Sequence, residues 1–177
     1  MIDTLLNDIL TQSILSLKQA NERIMTLEAI AEAEKNANDS IWIITTHLNN
    51  DVNDKEIRES VKENQDKGIQ YTYFVPKTSS LIKKRLKSYE EFFKVKNQED
   101  EEEKYKFISM DENEAIMPFA EVVIYDPEEH MSLWGYVELN YNDRTTDKDS
   151  VFLRIPHRNL FPLVESLKRK IIREEGE

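Results

Sequence analysis

The stretch IWIITTHLNNDVNDKEIRESVKENQDKGIQYTYFV, residues 41–75, decides the fold. It opens with Ile41-Trp42-Ile43-Ile44-Thr45-Thr46, a β-branched and nearly all-apolar run of strand length. Apolar residues on both faces mark a central strand that is covered on both sides. Asp54 then caps a helix that reaches about Lys67, with Ile57, Val61, Asn64 and Gln65 at helical spacing and Gly68 as its C-terminal stop. Ile69 to Val75 reads as a second strand, closed by Pro76. A strand, a helix, a C-cap glycine and another strand make a right-handed βαβ unit with parallel strands, so the chain is α/β.

Toward the amino terminus, apolar residues from Ile2 to about Asn36 recur at helical spacing, with Leu10, Leu17, Ile24 and Ala31 seven apart. This predicts one long helix over 1–36, ahead of an α/β domain over 37–177. Its stripe fits docking on that domain or pairing with a second copy of the chain. Toward the carboxyl terminus, Leu81 to about Lys94 is an amphipathic helix whose solvent face carries Lys83, Lys84, Arg85 and Lys87. The run Glu99-Asp100-Glu101-Glu102-Glu103 is a solvated acidic loop. Strands follow at Tyr105 to Met110, Phe119 to Tyr125, Ser132 to Leu139 or Tyr141, and Val151 to Ile155, the last two pairing antiparallel. A terminal amphipathic helix runs from Asn159 to Glu174.

Composition removes several kinds of chemistry. The 177 residues include no Cys, which excludes disulfides, thiolate metal sites and a cysteine nucleophile. The three glycines, Gly68, Gly135 and Gly176, cannot write a dinucleotide or P-loop fingerprint, and His47, His130 and His157 cannot form HExxH. No cofactor or metal is therefore expected. A net charge of −11, from 24 basic and 35 acidic residues, opposes nucleic acid as a partner unless local basic patches compensate. No apolar run approaches eighteen residues and no basic-then-apolar leader opens the chain, so the expectation is a cytoplasmic protein with no membrane partner.

The order helix, strand, helix, strand, helix, four strands, helix resembles one half of the phospholipase D superfamily fold, a mixed sheet flanked by helices. Lys67-Gly68-Ile69 matches a turn of that family. Its H-x-K-x4-D signature falls on Phe119-Ala120-Glu121-Val122-Val123-Ile124-Tyr125-Asp126, which keeps the Asp and replaces the nucleophilic His by Phe119 and the phosphate-binding Lys by Glu121. Phe cannot attack phosphorus. Glu121 would repel a phosphate oxygen about 4 Å away by roughly 4 kcal/mol at an effective dielectric of 20. The resemblance thus implies a catalytically inactive module that binds a ligand or a protein in a regulatory role, paired as a homodimer.

Ligands of open α/β sheets sit at the carboxyl ends of parallel strands. The candidate binding residues are accordingly Thr45, Thr46, His47 and Asp51 after the first strand, Lys77 after the second, and Glu121 and Asp126 on the degenerate motif strand. No residue is assigned a catalytic role. Asn and Asp in such loops also bond their own backbone, so each carries a structural reading beside the functional one. Two other readings stay open: a hydrolase or metal-dependent enzyme built on His47, Asp51 and Asp126, and a nucleic-acid-binding regulator using Lys83, Lys84, Arg85 and Lys87 with Lys168, Arg169, Lys170 and Arg173. Trp42 and Trp134, each inside a strand-like run, read as core anchors. Asp126, just before Pro127, is expected to accept backbone N–H bonds from the following turn.

Overall fold

The computed structural model of the chain describes residues 24–46, 48, 51, 55–77, 80–93, 104–110, 120–129, 133–139 and 150–176. In chain order the elements are β1 (Ile24–Met25), α1 (Leu27–Lys35), β2 (Ser40–Ile44), α2 (Lys55–Asp66), β3 (Gln70–Pro76), α3 (Ser80–Phe93), β4 (Tyr105–Met110), β5 (Ala120–Tyr125), β6 (Trp134–Leu139), β7 (Val151–Arg154) and α4 (His157–Glu175). The seven strands form one sheet in the order β1-β7-β6-β5-β2-β3-β4. The βαβ unit is present as expected: β2 and β3 pair parallel from Ser40↔Gln70 to Ile44↔Phe74, and β4 extends the parallel half. β5 enters antiparallel against β2, and β6, β7 and β1 continue antiparallel, so the sheet is mixed.

Alternation along each strand sends its side chains into two cores. On one face, Val122 and Ile124 of β5, Val137 of β6 and Leu153 of β7 pack against Leu160, Leu163, Val164 and Leu167 of α4. On the other, Ile41, Ile43, Tyr71, Tyr73, Val123 and Tyr125 meet Val61 of α2, Tyr89 and Phe93 of α3, and the partly buried Ile30 and Ala33 of α1. β2 is buried along its whole length, as a strand covered on both faces must be. No helix among the described residues is long and apolar enough to cross a membrane.

The expected long amino-terminal helix needs correction in its described part. Ile24 and Met25 are extended and pair with Leu153 and Phe152 of β7. Thr26 then starts a helix from a β conformation (φ −89°, ψ 157°), and its hydroxyl accepts the Ala29 N–H at 3.2 Å. Edge pairing at Ile24 and the cap at Thr26 break the helical register, so Ile24 and Ala31 do not share one seam. Residues 1–23, with Leu10 and Leu17, lie outside the described residues.

α1 is fastened through Glu34, a part-buried residue whose carboxylate is enclosed by two tyrosines. Tyr71 donates to Oε1, and Tyr125 donates to Oε2 at 2.8 Å. The Asn64 amide on α2 donates to the Glu34 backbone carbonyl at 2.9 Å and to the Tyr71 hydroxyl at 3.0 Å. Burial raises the Glu34 pKa above the usual carboxylate value, and the hydrogen bonds from Tyr71, Tyr125 and Asn64 offset part of that rise. A raised folded-state pKa contributes stability that is fully present below the unfolded value and is lost as pH rises through the folded one. Melting temperature followed upward in pH from about 4 is therefore expected to fall in the wild type relative to Glu34→Gln, whose amide does not titrate. Parallel curves for the two proteins would contradict this.

Close approach of α4 to the sheet depends on Gly135. A Cβ built there would stand 2.8 Å from the Val123 carbonyl oxygen and 3.2 Å from Leu160 Cδ1. The first contact is backbone and cannot swing away. Gly135→Ala is expected to lower stability by about 1–3 kcal/mol in urea unfolding, the usual size of an overpacking effect, and an unchanged midpoint would show that β5 and β6 can separate at no cost.

Candidate functional site

The carboxyl end of β2 gathers several of the expected residues. Thr45 is buried, its N–H donates to the Phe74 carbonyl at 3.1 Å, and its hydroxyl accepts the Leu48 N–H at 3.1 Å. Thr46 is half-buried, and His47 lies outside the described residues. Asp51 is buried, and its carboxylate accepts the Tyr73 hydroxyl at 3.1 Å. Behind it, Tyr89 donates to the Tyr73 oxygen at 3.1 Å and Gln65 donates to Tyr89 at 3.2 Å. Burial first, then the Asp51 charge, pushes the Tyr73 and Tyr89 hydroxyls well above their ordinary pKa, which keeps them protonated as donors. Asp51 thus anchors a buried network. Lys77 is exposed at the end of β3, with its N–H on the Met110 carbonyl.

Glu121 faces the same end of the sheet. The β2–β5 register, continued one step past Ile44↔Val122, sets it beside Thr45, and on β6 its partner is Glu138. Both glutamates are buried, at 3% and 1% exposure; Glu121 Oε2 and Glu138 Oε1 accept no hydrogen bond, although both residues have other partners. Burial, followed by these two negative charges, raises the neighbouring Tyr136 pKa well above normal. The motif strand and its neighbour β6 therefore each place an acidic side chain where a phosphate would need a cation, which weighs against phosphoryl chemistry there.

Asp126 lies elsewhere, and the direction of β5 is the reason. Because β5 runs antiparallel to β2, its last residue sits at the amino end of β2, with the Asp126 N–H on the Ser40 carbonyl at 2.9 Å. Five residues of strand, about 17 Å at 3.4 Å each, separate that end from Thr45. The expectation that Asp126 emerges beside Thr45 and Lys77 is corrected, and with it the hydrolase or metal constellation of His47, Asp51 and Asp126. Among the described residues no group of three or more acidic or histidine side chains could hold a metal ion. Asp126 Oδ1 instead accepts the backbone N–H groups of Asn38 and Asp39, each at 3.0 Å, and Oδ2 accepts the Asn38 amide at 3.4 Å. Its structural role uses donors 87 and 88 positions away, not the following turn that sequence suggested.

The basic groups sort by surroundings. On α3, Lys83, Lys84 and Lys87 are exposed and absent from the described ion pairs, but exposed Glu90 and Glu91 follow on the same helix. On α4, Lys168 is engaged by Glu128 at 3.1 Å and Glu165 at 3.7 Å, while Arg169 and Arg173 are exposed. A third group escaped the sequence reading. Where β7 passes into α4, a cavity of about 280 Å3 is lined by Leu133, Trp134, Arg154, Ile155, Pro156, His157 and Leu160, with no carboxylate among them. Trp134 is half-buried, not a sealed core residue like Trp42, and the Arg154 guanidinium lies 5.9 Å from its ring centre. Arg158 is exposed one residue further along. α4 starts at Pro156 without a side-chain cap or an acidic residue in its first turn, so its positive dipole end adds to these cations.

Phe119, His130 and the acidic run 99–103 lie outside the described residues. No family model and no curated protein matches this chain. A solved structure similar to it is that of TrmBL2, described as an archaeal chromatin protein with a novel mode of DNA binding; identity is 16% and the TM-score 0.43. The match covers 94% of this chain and 57% of that one, so the chain spans little more than half of TrmBL2's length. TrmBL2 is described as binding DNA, which differs from two of the expectations above, an inactive phospholipase D-like ligand-binding or interaction module and nucleic acid as an unlikely partner, and neither is carried further. The resemblance is too remote to bring TrmBL2's own activity to this chain.

Substitutions at Asp126 test its structural role. Its φ of 49° is a conformation that Asn shares readily and Ala does not. Asp126→Asn keeps an acceptor for the two N–H groups and is expected to cost under about 1 kcal/mol, whereas Asp126→Ala, which leaves both donors without it, should cost about 2–4 kcal/mol in urea unfolding. Equal stability of the Ala variant and the wild type would remove the role.

Proposed function

We propose that the protein binds nucleic acid at the patch formed by Trp134, Arg154, His157 and Arg158. The observation that supports this reading is the cavity at the start of α4, which brings an aromatic ring, a guanidinium and an imidazole together without a carboxylate in a chain of net charge −11. A phosphate is held by charge-assisted N–H donors, for which a guanidinium is well shaped. A half-buried indole beside it offers a flat surface on which a base stacks without regard to sequence. The three-lysine stripe of α3 is followed by the exposed Glu90 and Glu91, and the distal α4 cluster is partly neutralised by Glu128 and Glu165.

Such a surface neutralises few phosphates, so binding is weak and strongly salt-dependent. Two phosphate contacts give a slope of about −2 for log affinity against log salt, and non-specific dissociation constants fall around 10⁻⁴–10⁻⁶ M. Fluorescence anisotropy of a labelled oligonucleotide, single-stranded and duplex, at about 50 mM salt is expected to show saturable binding by the wild type. The double variant Arg154→Ala, Arg158→Ala should weaken it by about tenfold or more with an unchanged melting temperature, each lost charge-assisted contact removing about 1 kcal/mol, while Lys83→Ala with Lys84→Ala should leave it nearly unchanged. Absence of binding to both oligonucleotides overturns the function. Binding that ignores the two arginines overturns the surface.

A further inference from the structure

Trp134 also borders a different cavity, of about 330 Å3, between α1 and the sheet at the amino end of β2. Its lining reverses the charge of the first: the ionisable carboxylic side chains are Glu32, exposed on α1, and Asp126, buried at 3%, and no basic residue lines it. Tyr125 and Trp134 supply two aromatic walls whose rings are tilted by 56° with centres 4.9 Å apart. Ala29, Ala33 and Ala37, with side chains of a single carbon, leave the opposite side open.

We propose that this cavity binds a small organic cation, an ammonium group with apolar substituents. The described bonds to the Asp126 carboxylate come from neutral N–H groups of Asn38 and Asp39, and none of the described ion pairs includes it. Those donors orient the charge without cancelling it. A cation in this cavity borders that carboxylate and two aromatic side chains together, the combination by which proteins recognise quaternary ammonium groups. A hard divalent ion would need several oxygen ligands at 2.0–2.6 Å, which two carboxylates on separate elements and two rings do not supply. A substituted ammonium is weakly hydrated and large enough to touch both rings. The volume suits it, since small-molecule sites begin at about 300 Å3. Nothing in this inference depends on nucleic acid, because Arg154 and His157 line the other cavity and not this one.

The test is isothermal titration of the full chain with choline and with 3,3-dimethyl-1-butanol, its uncharged carbon analogue. Choline is expected to bind saturably and the neutral analogue at least about fivefold more weakly, the factor that a cation–π contact of about 1 kcal/mol represents. Glu32→Gln, which changes one exposed side chain, should weaken choline by about threefold, in line with a partly screened charge. Ala29→Leu, also at an exposed position, should fill the cavity and abolish binding without lowering the melting temperature. Both variants leave the Asp126 bonds intact, so folding does not confound them. Equal affinity for choline and the butanol overturns the proposal, as does choline binding that survives Ala29→Leu. Failure of choline to bind at all also overturns it, while leaving the oligonucleotide result unaffected.

Discussion

The antiparallel placement of β5 beside β2, with Ile41 opposite Tyr125 and Ile44 opposite Val122, is the constraint on which the remainder of the molecule depends. It ends the parallel half begun by β2, β3 and β4 and obliges β6, β7 and β1 to continue as antiparallel neighbours. It also reverses the ends of the motif strand: Glu121 goes to the carboxyl end of β2 and Asp126 to its amino end. Asp126 there closes the turn before β2 by accepting the Asn38 and Asp39 N–H groups. One strand direction therefore ties the entry to the central strand to a residue almost ninety positions later.

A second consequence is the polar character of one sheet face. Tyrosines 71, 73, 89, 125 and 136 are all buried on the side that α1, α2 and α3 cover, and each hydroxyl must find a partner or carry a desolvation cost. Glu34 and Asp51 accept from them, and Asn64 and Gln65 donate to them. The helices are therefore attached by directional bonds as well as by apolar contact, which fixes their position on the sheet more narrowly than burial does. The α4 face contains no such network among its core residues and relies on shape, with Gly135 admitting Leu160 to close range.

Charge is unevenly distributed around this frame. The carboxyl end of β2 holds the acidic side chains Glu121, Glu138 and Asp51, all buried. At the opposite end Trp134 separates a cavity lined by carboxylates from one lined by Arg154 and His157. A bulk charge of −11 averages over these regions and describes none of them. The field that a ligand meets is local, because charges beyond about 10 Å are largely screened at ordinary ionic strength.

Hydrophobic periodicity alone determined much of the architecture: the βαβ unit over 41–75, the helices near 80–93 and 157–175, and the antiparallel pairing of the last two strands, since covered strands and amphipathic helices leave distinct repeats. It misread the segment ending at Lys35, where Ile24 and Ala31 keep a seven-residue spacing although Ile24 lies in an edge strand and the helix that holds Ala31 begins only after the Thr26 cap. Thr45 and Asp51 at a strand end were legible because loop position follows from strand boundaries. Only the tertiary structure decided that Asp126 stands at the far end of β2, that Glu121 opposes Glu138, and that Trp134 joins Arg154 and His157 at a surface. Each of those facts is a pairing between strands distant in sequence, and strand direction and register are set by the packing of the whole sheet, which local residue patterns do not encode.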